Sequence, residues 1–147
     1  MAEYIFKKML DGELKKNNFE IISRGTAASD LYKIPRIVSE TLMAQESIVV
    51  SNHISTQIDK NDFDTADMIL VMERHHKEIL RALFGDSPKV SLLGGNDEIP
   101  DPIGSPDEIY KETFHTIKKH LEYLKKNLIP QMLNSRDGKE TTNDVSY

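Results

Sequence analysis

A chain of 147 residues with 38% hydrophobic and 29% charged residues has the composition of one globular domain. A net charge of -5 disfavours general nucleic-acid binding, and zero cysteine excludes disulfides, thiolate metal sites and cysteine catalysis by these residues. No apolar run approaches the ~20 residues of a membrane helix and no basic-then-apolar leader opens the chain, so no membrane partner and a cytoplasmic location are expected.

Residues 1–16 pattern as a helix already under way. Ala2, Ile5, Phe6, Met9 and Leu10 share a face, and no Ser, Thr, Asp or Asn precedes them as a cap. Residues 19–23 alternate apolar and polar and predict a strand, ended by Gly25. Residues 34–44 predict a helix with Pro35 near its start, and 48–50 form a short apolar patch of undefined type. Residues 59–65 read as a turn or a single helical turn. The run 66–72, apolar but for Asp67, predicts a central parallel strand covered on both faces. A helix over 75–84 and a strand over 89–93 follow, the strand closed by Gly94-Gly95.

The last helix has the clearest signals. Ser105 is placed as N-cap, Pro106 as first helical residue and Glu108 as capping-box partner. Tyr110, Phe114, Ile117, Leu121, Leu124 and Leu128 then recur every three or four residues, with Pro130 near the end. One domain over 1–133 and a disordered polar tail over 134–147 are expected. The alternation of helix and strand predicts an α/β fold with a parallel sheet, whose site lies where the strands end.

Pro100-Asp101-Pro102 is the sharpest chemical candidate. A carboxyl on backbone stiffened by two prolines suits a general acid, although a surface turn is the default reading of three such residues. Asp62-Phe63-Asp64-Thr65 imitates the nucleophile motif of the haloacid dehalogenases, but a polar stretch precedes it where a buried strand is required. Asp59, Asn61 and Asp64 lack calcium-loop spacing. His75-His76 point about 100° apart on a helix, and His115 and His120 are poorly aligned, so no metal site is assigned and no cofactor is expected.

In chain order the segments MAE, IISRGT, NHISTQI, NDFDTADMILVM, KVSLL and EIPDPIGSPDEIYKET resemble the low-molecular-weight protein-tyrosine phosphatases, especially their bacterial branch, from Met1 to about Leu128. The resemblance implies a flavodoxin-like three-layer sheet with helices on both faces. It implies phosphomonoester hydrolysis through a phosphocysteine, with the thiolate and an arginine in a Cys-x5-Arg loop that precedes MAE. In this sequence that loop and the first central strand are absent, so an N-terminally truncated and inactive chain is expected, prone to marginal folding or aggregation.

By the same resemblance Asp101 is the general acid that protonates the leaving phenolate. Ser23 and His53 belong to the network that braces the phosphate loop. Ile103 stands where many relatives carry an aromatic residue, which opens phosphoarginine or small aryl phosphates as substrates beside phosphotyrosine in proteins. A non-catalytic pseudophosphatase that binds partners is the alternative. An arsenate reductase of this fold would need redox cysteines. The oligomeric state is left open.

Overall fold

The computed structural model of the chain describes residues 1–13, 19–29, 31 and 33–140, with side chains as far as residue 135. α1 (Ala2–Met9) buries Ile5 and Phe6, and Leu10 just beyond it, on the face set by their spacing. No side chain caps its first turn. α2 (Arg36–Glu46) starts after Pro35 and buries Val38, Thr41 and Leu42. α3 (Lys60–Thr65) is a short helix held by a reciprocal capping box, in which Asp59 Oδ1 accepts from the Asp62 N–H at 2.7 Å.

β1 (Ile69–Val71), α4 (Arg74–Phe84) and β2 (Val90–Leu92) form a parallel β-α-β unit with Ile69 opposite Val90 and Val71 opposite Leu92. Alternate residues serve opposite faces. Met68, Leu70 and Met72 pack on a large cluster that includes Ile5, Leu42, Phe114 and Leu121. Ile69 belongs with Phe63, Val71, Leu80 and Val90 in a smaller one. A strand sandwiched between two apolar layers offers both alternating faces to apolar neighbours, which explains why residues 68–72 carry no polar alternation. The architecture is α/β, with a parallel sheet between helical layers.

α5 (Asp107–Asn127) lays Tyr110, Phe114, Ile117, Leu121 and Leu124 along the large cluster. Its start differs from the sequence expectation. Pro106 occupies the cap with φ -59 and ψ 159, no side chain caps the helix, and Ser105 makes no capping bond. Asp107 and Glu108 sit in the first turn, where their charge suits the positive end of the helix dipole. α6 (Ile129–Glu140) runs past Asn134, where a disordered tail was expected to begin. Pro130 falls in its first turn, where a missing N–H costs little, and Ile129, Met132 and Leu133 tie it to the core. Residues 141–147 of the expected tail lie outside the described residues.

The strand expected over 19–23 does not form. Among the described residues the only bridge nearby joins Gly25 to Gln57, with Gly25 N–H donating to the Thr56 carbonyl at 2.9 Å. An extended segment becomes a strand only against a neighbouring backbone, and none is ordered beside these residues among those described. The alternation itself survives: Phe19 and Ile21 pack on the large cluster, while Ile22 is 45% exposed. Among the described residues no helix is long and apolar enough to cross a membrane.

Candidate active site

The carboxyl ends of β1 and β2 bring the Asp101 loop to the expected place. After β2 the chain reverses at Gly94, where a Cβ would stand 2.3 Å from the Asp97 carbonyl oxygen. Only glycine permits that turn. The buried Ile99 then donates its N–H to the Met72 carbonyl at 2.9 Å, fastening the returning loop to the end of β1. Asp101 follows two residues later, exposed to solvent, its Oδ1 accepting from the Ile103 N–H at 3.0 Å. Ile103 is itself 70% exposed.

Ser23 and His53 converge on the first turn of α1 rather than on Asp101. The Ser23 hydroxyl donates to the Glu3 carboxylate, which also accepts from Lys7. Tyr4 Oη and His53 Nδ1 are 3.0 Å apart, with their rings tilted at 57°. Burial raises the Glu3 pKa, but hydrogen bonds from Lys7 and Ser23 outweigh it, with help from the charges of Lys7 and His53. The carboxyl is held below its usual range. Glu3 entered the sequence reading only within the MAE segment, without a role of its own, and Tyr4 not at all. By position alone both read as solvated surface on the first turn of an uncapped helix.

Next to Ser23, Arg24 grips Asp62 with two guanidinium nitrogens, Nε at 2.7 Å and Nη2 at 3.2 Å, and gives a third bond to the Ser23 carbonyl. This bidentate bond keeps the Asp62 carboxyl low and the Arg24 guanidinium high. The haloacid dehalogenase reading is thereby closed: Asp62 is occupied with Arg24 and the α3 cap, and Phe63 is in the core.

Just past the end of β1, Glu73, His75 and His76 come together, against the divergence expected of adjacent helical histidines. The two rings lie 3.9 Å apart, tilted by 42°, and His75 Nδ1 is 3.8 Å from a Glu73 carboxylate oxygen. The reason is local. Glu73 precedes the helix on extended backbone, and the histidines occupy the first turn, where no preceding turn crowds them. Burial and His75 push the His76 pKa down, against the upward pull of Glu73 and Asp101. A surface depression of about 690 Å³ lies elsewhere, between α1, the end of α2 and α5, and is lined by opposed charges such as Lys118 and Glu46. It holds none of these groups.

The arrangement sets the exposed Asp101 carboxyl near the end of the parallel sheet, and the chain is similar to known proteins. Residues 1–134 match the family model described as low molecular weight phosphotyrosine protein phosphatase. The chain is 30% identical to a protein-arginine-phosphatase of Bacillus subtilis, over 87% of each sequence. It is 28% identical to a low molecular weight phosphotyrosine protein phosphatase of Gallus gallus, over 83% of this chain and 85% of that one. Among solved structures, a low molecular weight protein tyrosine phosphatase from T. tengcongensis superposes with a TM-score of 0.78 at 25% identity, covering 86% of this chain and 88% of the other. A mutant of YwlE from Bacillus subtilis gives 0.76 at 30%, covering 86% and 87%. With the family model spanning the core, both strands and the Asp101 loop, the chain belongs to the low molecular weight phosphotyrosine protein phosphatase family.

Proposed function

We propose that these residues supply the acid half of a phosphomonoester hydrolase. Asp101 protonates the leaving atom of a phosphorylated substrate, and the resulting carboxylate takes a proton from the water that hydrolyses the phosphoenzyme. The observation that supports this best is the position of Asp101. It is exposed, flanked by two prolines and fastened to the end of β1 through Ile99. A phenol leaves poorly as its anion at neutral pH, having a pKa of about 10, and a positioned acid removes that cost.

The other half of the reaction is a thiolate, and the 147 residues contain no cysteine. In this reading the chain alone forms no phosphocysteine and is inactive. The substrate class is a phosphorylated protein or a small aryl phosphate. The aliphatic Ile103 beside Asp101 and the likeness to a protein-arginine-phosphatase favour phosphoarginine among protein substrates.

Hydrolysis of p-nitrophenyl phosphate tests both parts, using this chain and the chain joined at its N-terminus to a strand and a Cys-x5-Arg-Ser-Pro segment. The first is expected to show no turnover. The second is expected to turn over, and Asp101→Asn to lower its kcat by ~10²- to 10⁴-fold. Turnover by the unjoined chain, lost on Asp101→Asn, contradicts the claim of inactivity. A joined chain indifferent to Asp101→Asn contradicts the acid role.

A second reading, a non-catalytic module that accepts a strand, is favoured by the edge of β1. Ile69 donates to the Lys89 carbonyl and Val71 accepts from Leu93. Alternation therefore turns the Leu70 N–H and C=O away from β2, and no strand lies there among the described residues. Saturable binding of an apolar extended peptide by the inactive chain would support it.

A further inference from the structure

We propose that Glu73, His75 and His76 form a binding site for a divalent transition-metal cation of the zinc class, beside Asp101 at the mouth of the β1 and β2 ends. The proposal does not depend on the phosphatase reading. One imidazole nitrogen from each histidine and one carboxylate oxygen from Glu73 lie within 4.8 Å of one another. Two imidazoles and a carboxylate are a donor set that zinc and its neighbours favour over magnesium or calcium. Zinc bonds of about 2.0–2.2 Å place tetrahedral ligands roughly 3.4 Å apart. The three atoms therefore have to close by little more than an ångström, which side-chain rotation provides. His75 is 56% exposed and free to make that rotation.

Three features leave the donors available. The Glu73 carboxylate makes no capping bond to α4, although it stands at the cap. The cation nearest in sequence is drawn off: Arg74 Nη1 lies 3.3 Å from Glu98, and Nη2 donates to the Asn96 carbonyl at 2.8 Å. The Arg74 N–H that opens the helix is satisfied by Glu98 Oε1 at 2.6 Å, so it makes no demand on Glu73. The backbone bond from the His76 N–H to the Glu73 carbonyl, 3.2 Å, fixes the spacing of the two ends of the set. Three protein ligands leave one position of a tetrahedral ion open to water.

The test uses the untagged chain, stripped with a chelator and titrated with Zn²⁺ by calorimetry and with Co²⁺ by visible absorption. One ion per chain and the d–d bands of low-coordinate cobalt are expected. His75→Ala, His76→Ala and Glu73→Gln are each expected to weaken binding at least about tenfold, with circular dichroism showing that each variant folds. His115→Ala and His120→Ala are expected to bind as the parent does. Absence of saturable binding overturns the proposal, as does binding that survives the His75 and His76 substitutions. Equal affinity for Mg²⁺ also overturns it, because two imidazole ligands would favour zinc over magnesium.

Discussion

Tyr4 Oη and His53 Nδ1, 3.0 Å apart, join the first turn of α1 to a segment forty-nine residues away. Burial, with a smaller push from Glu3 and against the pull of Lys7, raises the Tyr4 pKa and keeps the phenol protonated. Tyr4→Phe is expected to cost about 1 kcal/mol in urea unfolding, because it leaves a half-buried ring nitrogen without its partner. His53→Ala should cost a similar amount, and the double variant less than the sum of the two. Full additivity would show that the contact contributes nothing.

Stability is expected to fall in acid through Glu3 and Asp62. Both carboxyls are held below their ordinary range in the folded chain. Groups of this kind stabilise fully above the unfolded value, roughly 4, and lose that contribution as pH falls through the lowered folded value. The melting temperature should therefore change little from about pH 7 to 5 and drop below about pH 4. Asp62→Asn should lower it at neutral pH and flatten the acid limb. An unchanged acid limb in that variant would assign the loss to other groups.

Thr41 is 4% exposed on α2, and its hydroxyl has no hydrogen-bond partner among the described residues. Thr41→Val keeps the shape and removes the unpaired dipole. The variant is expected to be about 1 kcal/mol more stable by chemical denaturation. A loss of stability instead would mean that a solvent molecule or a moving neighbour satisfies the hydroxyl.

Gly94→Ala is expected to cost about 2–4 kcal/mol, since its Cβ would collide with the backbone carbonyl of Asp97 rather than with a yielding side chain. Gly12→Ala meets nothing within 4 Å and serves as the comparison. Equal melting temperatures for the two variants would refute the tight-turn argument.

The elements that were legible in the sequence are those whose signal is local or periodic. The apolar stripe of α5 and the unbroken run around Ile69 and Val71 carried their own period, and the two prolines around Asp101 marked the loop. Ser105 and Pro106 misled because a capping pattern is only one way to start a helix. Acidic residues after Pro106 serve the dipole equally well. Residues 19–23 misled because strand formation depends on a neighbour that composition does not reveal. The meeting of Ser23 with Glu3, of Tyr4 with His53, and of Glu73 with two histidines depends on tertiary placement or on backbone outside the helix, where no spacing rule applies.

The bond between the Ile99 N–H and the Met72 carbonyl has a further consequence. A loop held only by its own turns frays independently, and its amides exchange with solvent at a rate set by that fraying. The Ile99 amide is instead buried and shared with the β1 end, so its hydrogen exchange should follow opening of the sheet. One slowly exchanging amide two residues from Asp101 thus reports how long the carboxyl stays in register with the strands, and it does so without any substrate.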